Sequence, residues 1–164
     1  MAYDFNAAEA FEVAIQIERN GAAFYRKAAS LQDRETDKNF LETIAKMEDR
    51  HQAGFEKMKR ALSDAEQKQT VFDPNDELSA YLKAMADSHG GEGDPEAANR
   101  LTGEESMSQI IETAIGLEKA SILFYIGLKD MVPPKLGRDK IAAIIKEEQL
   151  HVAQLASFLK KAES

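Results

Sequence analysis

Apolar residues recur at spacings of three and four along most of this chain, the period of a helix with one buried face. Over 36–65, Leu41, Ile44, Phe55, Met58 and Leu62 fall on one such face. Over 138–161, Ile141, Ile144, Leu155 and Phe158 do the same. Phe11, Ala14, Ala22 and Tyr25 align over 6–30, and Ile111, Ala114, Ile122 and Tyr125 over 106–131. The pattern predicts four long helices. Asn6 with Glu9, and Ser106 with Gln109, stand at capping-box spacing at two of the starts. Pro133-Pro134 stops the third helix, and Gly137 precedes the fourth. Residues 64–105 break the pattern with two of the four prolines and several glycines, and predict a short helix over 77–88 followed by a loop. Short loops make antiparallel neighbours of helices one and two, and of three and four. The expected fold is all-α, an antiparallel four-helix bundle of two hairpins joined by one long crossover that contains a short helix.

The two hairpins are copies of one another. Placing 11–25 over 111–125 pairs Glu12, Ala14, Ile15, Glu18, Phe24 and Tyr25 with Glu112, Ala114, Ile115, Glu118, Phe124 and Tyr125. Average composition predicts roughly one identity in such a window. Placing 44–53 over 144–153 pairs Ile44, Lys46, Glu48, His51 and Ala53 with Ile144, Lys146, Glu148, His151 and Ala153 in the same register.

Six ionisable residues interrupt the apolar stripes. Glu48 and His51 lie on the stripe of the second helix, Glu148 and His151 on that of the fourth, and Glu18 and Glu118 on those of the first and third. Buried glutamate needs a partner, and four close together would repel and take up protons. Two divalent cations supply the four positive charges that cancel four carboxylates, and neutral imidazoles complete the coordination. Hard carboxylates with two histidines suit iron or manganese, and the order of affinities admits zinc. Glu-x-x-His puts both side chains on one side of a helix turn, where they can share an ion. The competing expectation, a metal-free polar network, leaves six ionisable groups that are hard to satisfy in a core.

One glutamate from each of two helices plus Glu-x-x-His from each of the other two is the ligand set of the ferritin-like di-iron carboxylate superfamily. The chain resembles that superfamily through both hairpins, and within it the rubrerythrin-like branch. The resemblance implies a single domain over 1–164 with 64–105 as its crossover. It implies Glu18, Glu48, His51, Glu118, Glu148 and His151 as ligands of two iron ions, with Glu48 and Glu148 bridging and each histidine capping one iron. Tyr25 and Tyr125, seven residues after Glu18 and Glu118, are expected to face inward and hydrogen-bond to ligands, with electron relay as the alternative. Two departures stand out. No cysteine is present, so the rubredoxin-type four-cysteine site of rubrerythrins is missing and electrons must come from a separate donor protein. The further glutamate that rubrerythrins carry three positions after the third-helix ligand is Ser121 here.

Composition narrows the rest. The absence of cysteine excludes disulfides, thiolate zinc sites and cysteine nucleophiles in this chain. The net charge is −8, and no block of Lys and Arg forms a nucleic-acid patch. No apolar run is of membrane-spanning length. The opening MAYDFNAAEAFE lacks the basic and apolar segments of a secretory signal, so a cytoplasmic location is expected. Glu12 and Glu112 repeat but lie off the ligand face, where surface pairing is expected and an iron entry path is the alternative. Glu147 is left out of the ligand set because its repeat partner is Met47. His89, Glu92 and Asp94 are expected to be solvated. Phe11, Phe24, Phe55, Met58, Phe124 and Phe158 are expected in the core. The resemblance to rubrerythrins implies reduction of peroxide or dioxygen by a di-iron oxidoreductase, and it implies a homodimer. The alternatives are ferroxidase and iron storage in a hollow shell, or a non-enzymatic metal-stabilised module.

Overall fold

The computed structural model describes residues 7–63, 75, 77–87, 96–132 and 134–162. The described residues form helices and no strand: α1 (Ala7–Ser30), α2 (Glu35–Arg60), the short α3 (Glu77–Asp87), α4 (Met107–Met131) and α5 (Arg138–Ala162). The four long helices follow the predicted spans closely. Ser106 caps α4 with the predicted capping box: its side chain accepts from Gln109 N at 3.2 Å, and the Gln109 side chain accepts from Ser106 N at 2.8 Å. α2 begins one residue before Thr36 and ends at Arg60, short of the predicted 65. Its start has Arg34 at the N-cap with no side-chain cap, but Glu35 and Asp37 place negative charge in the first turn, where the helix dipole favours it. Asn6, His89, Glu92 and Asp94 lie outside the described residues.

α1 packs along α2, and α4 along α5, while α1 also crosses α4 and α3 lies on α4. Short connections at 31–34 and 132–137 turn each hairpin. The second connection contains the 3-10 turn Pro134–Leu136 and then Gly137 at φ +115°, a left-handed conformation that a side chain would strain. The Gly137 carbonyl accepts from Lys140 N and Ile141 N and so starts α5. α3 seats against Gly127, whose missing side chain leaves room for Leu82 and Tyr81. The Tyr81 hydroxyl donates to the Leu123 carbonyl at 3.0 Å.

The core has two apolar layers. One gathers the start of α1, the end of α2, the end of α4 and the start of α5, around Phe11, Phe55, Phe124, Tyr125 and Ile141. The other gathers the opposite ends, around Phe24, Tyr25, Leu41, Ile111 and Leu155. Phe11, Phe24, Phe55, Met58 and Phe124 are buried as expected, while Phe158 and Ile122 are half-buried. Phe158 stacks on Phe40 at 4.4 Å between ring centroids. The six ionisable residues of the stripes occupy the level between the two layers.

Candidate metal centre

Duplication places Glu18, Glu48, Glu118 and Glu148 near the middle of their helices, so closing the bundle brings all four to one level. All four are fully buried, as is His151, and His51 is only 4% exposed. They form two overlapping sets in which ligand atoms lie within 4.8 Å of one another: Glu18, Glu48, His51 and Glu148; and Glu48, Glu118, Glu148 and His151. Glu48 and Glu148 belong to both sets. That is the arrangement expected of two bridging carboxylates between two ions, each with its own histidine and its own further glutamate.

His51 Nδ1 lies 2.7 Å from Glu148 Oε1 and 3.5 Å from Glu18 Oε2. His151 Nδ1 lies 2.8 Å from Glu148 Oε2, 3.3 Å from Glu48 Oε1 and 3.5 Å from Glu118 Oε1. The two imidazoles are stacked, with centroids 5.6 Å apart. These approaches are as short as ion pairs, yet they do not follow hydrogen-bond directions. Glu18 Oε2, Glu118 Oε2, both Glu148 oxygens, His51 Nδ1 and both His151 ring nitrogens are buried with no hydrogen-bond partner among the described residues. Leaving buried polar atoms unsatisfied costs about 1–3 kcal/mol each, more for charged groups. So many inward-facing lone pairs converging on two points fit a pair of divalent cations, whose coordination replaces the missing hydrogen bonds.

Among the protein groups alone, the electrostatics are those of a site built for positive charge. Burial, reinforced by the neighbouring Glu148, pushes Glu18 above the usual carboxylate range. Burial and Glu148 push Glu118 up to about 8 against the pull of His151. For Glu148, close contact with His151 and His51 outweighs burial and holds it at about 2. Burial opposes charge on the histidines, but Glu148 and Glu18 raise His51 to about 11, and Glu118 and Glu148 raise His151 to about 9. Glu18, Glu118 and the two histidines thus hold protons more tightly than they would in water, and Glu148 less tightly.

The tyrosines face inward, as the spacing implies, and reach across the bundle. Tyr25 of the first hairpin donates to Glu118 Oε1 of the second at 2.5 Å, and Tyr125 donates to Glu18 Oε1. Ser121 is buried, but its hydroxyl donates to the Leu117 carbonyl of its own helix at 3.0 Å. Glu12 pairs with Lys59 on the surface, in keeping with its position off the ligand face.

Glu147 is the residue that sequence reasoning left aside. Its half-exposed carboxylate lies 3.0 Å from His51 Nε2. The contact joins α5 to α2 across 96 residues, and neither the repeat nor the helical stripe marks it. The only signal for it was an acidic residue adjoining a ligand.

Residues 6–161 match the family model of the ferritin-like domain, and the chain belongs to that family. With its buried carboxylate–histidine cluster, it is a ferritin-like protein whose site is compatible with two metal ions. A Thermotoga maritima protein described as ferritin-like and diiron-carboxylate shares the fold at a TM-score of 0.73 and 21% identity, with 96% of each chain covered. A hypothetical protein from Pyrococcus furiosus shares it at a TM-score of 0.69 and 22% identity, covering 96% of this chain and 90% of the other. No curated protein matches the chain. No helix among the described residues is long and apolar enough to cross a membrane.

Proposed function

We propose that this protein is a di-iron oxidoreductase of the rubrerythrin-like kind, reducing peroxide or dioxygen with electrons from a separate donor protein. One observation carries the reading: two buried ligand sets that share Glu48 and Glu148, each closed by one histidine. Glu18, Glu48, His51 and Glu148 would hold one ion, and Glu48, Glu118, Glu148 and His151 the other. Two ferrous ions held there would supply the two electrons that convert peroxide, with two protons, into two waters.

The chain's own contribution is position and environment. The apolar layers on either side keep bulk water from the carboxylates, which strengthens every charge interaction within. Tyr25 and Tyr125 fix the rotamers of Glu118 and Glu18 by donating to one oxygen of each, and direct the other oxygen to the centre. Both histidines serve as ligands.

Ser121 favours a second reading. Its hydroxyl bonds to its own helix backbone, so the position offers no carboxylate to follow an iron that moves with its oxidation state, as the rubrerythrin resemblance would require. A ferroxidase or iron-handling role needs the same six ligands without that movement. The deciding experiment loads the protein anaerobically with ferrous iron and follows reoxidation. Faster reoxidation by peroxide than by air supports the peroxidase reading; faster reoxidation by air moves the assignment to ferroxidase.

The proposal includes a homodimer. Leu123, Ile126 and Leu150 are exposed on the second hairpin, where the duplicated positions of the first carry Ala23, Arg26 and Arg50. Arg26 pairs with Asp49 on the first hairpin, and its counterparts on the second are Ile126 and Gln149. At these positions the first hairpin carries two arginines and an alanine, and the second three large apolar side chains, as a partner-facing surface does.

A further inference from the structure

The duplication makes the two ligand sets nearly equivalent, but their histidines have different outer contacts. His51 has a carboxylate behind it: Glu147 lies 3.0 Å from Nε2. An ionised carboxylate only accepts, so Nε2 carries the proton and donates it. The duplicated position behind the other histidine is Met47, whose thioether is a weak acceptor. His151 Nε2 is buried without a hydrogen-bond partner among the described residues.

From this difference we infer that the two metal positions are unequal, and that Glu147 is the positioning residue that makes the His51 position the tighter one and the first to fill. A hydrogen bond at Nε2 has two effects on a metal ligand. It keeps the ring's remaining proton on Nε2 once an ion has displaced the one on Nδ1, so that the Nδ1 lone pair points inward, and it makes that nitrogen more basic. It also holds the ring against rotation, so less freedom is lost when an ion binds. The His151 ring has neither aid, and an ion there must bear the cost of selecting tautomer and orientation. The inference rests on the di-metal reading of the centre and adds to it an order of filling.

Glu147 is half-exposed, so its replacement should leave the fold intact, and melting of each variant checks this. The test titrates the chelated full-length protein with zinc, which binds without redox chemistry, and compares wild type with Glu147→Ala, Glu147→Gln and Met47→Glu. Two unequal steps are expected in the wild type. Outer-sphere partners of this kind contribute about ten- to a hundredfold in metal affinity. Glu147→Ala should lose about that much from the tighter step and spare the weaker one. Glu147→Gln should keep most of the affinity, because the amide oxygen still accepts from Nε2. Met47→Glu should tighten the weaker step. In nuclear magnetic resonance of the zinc-loaded wild type, the His51 Nε2 proton should be shifted downfield and slow to exchange, an effect lost in Glu147→Ala and kept in Glu147→Gln. Two equal steps in the wild type, or Glu147→Ala leaving both steps and the His51 proton unchanged, would overturn this inference while leaving the di-metal centre standing. A wild type that binds no zinc would remove the centre itself.

Discussion

Tyr25 donates its hydroxyl to Glu118 at 2.5 Å across 93 residues of sequence. The duplicated pair, Tyr125 and Glu18, does the same in the opposite direction. Each hairpin therefore supplies the hydrogen bond that holds the other hairpin's buried glutamate. Tyr25→Phe keeps the ring in its layer and removes only the donor. The expected result is a loss of about 1–3 kcal/mol in the chelated protein, the usual cost of orphaning a buried acceptor, measured by urea unfolding. Unchanged stability would show that Glu118 finds another donor.

The shared glutamates and the private ones should behave differently on removal. Glu48→Ala takes a ligand from both sets, whereas Glu18→Ala takes one from a single set. Metal analysis after loading should find about two ions per chain in the wild type, about one in Glu18→Ala and close to none in Glu48→Ala. Equal losses in the two variants would contradict the bridging arrangement.

Stability should depend on pH in a direction that metal reverses. His51 rises from its ordinary 6.5 to about 11, His151 from 6.5 to about 9, and Glu118 from 4.5 to about 8. A folded chain that holds protons more tightly than the unfolded one loses stability as pH climbs. The histidine contributions are complete below about pH 6.5 and fade as pH rises through about 9 and about 11; that of Glu118 is complete below about 4.5 and fades through about 8. Glu148, held at about 2, acts oppositely, and its contribution is lost only as pH falls from about 4.5 toward 2. Calorimetry on chelated protein should show Tm falling between about pH 6 and 10, with a gap to the zinc-loaded protein that widens as protons give way to metal. A chelated Tm that climbs over that range would contradict the charge assignments.

Two glycines test how the crossover and the second hairpin are seated. A Cβ on Gly127 would lie 2.8 Å from Leu82 and 3.0 Å from Tyr81. Gly127→Ala should loosen α3 from α4, visible as faster amide exchange in 77–87, while metal content holds. A Cβ on Gly137 would meet Met58 Sδ at 2.8 Å, on a backbone at φ +115°. Gly137→Ala should cost about 1–3 kcal/mol and lower Tm. A Gly137→Ala protein as stable as wild type would show that the turn accommodates a side chain.

The apolar outer face of the second hairpin predicts its own disruption. Leu123→Glu combined with Leu150→Glu should convert a dimer to a monomer in light scattering, with metal content retained. A wild type that is already monomeric, or one that forms a large shell, would rule out this pairing.

Much of this protein was legible in its sequence because a helix has a fixed period. Spacings of three and four were enough to put Glu18, Glu48, His51, Glu118, Glu148 and His151 on inward faces, and a hundred-residue repeat doubled the evidence for each. Ser106 with Gln109 located a helix start because capping is local chemistry. Contacts between helices are not written in that period. The resemblance, and not the spacing, led to the expectation that Glu48 and Glu148 are shared; which tyrosine meets which glutamate, and that Glu147 stands behind His51, depend on the rotation and crossing of helices packed against one another. Neither depends on residue spacing. Glu147 shows the difference most clearly: beside Glu148 in sequence and matched by Met47 in the repeat, it acquires its partner only when α5 and α2 come together and bring its carboxylate to an imidazole 96 residues away.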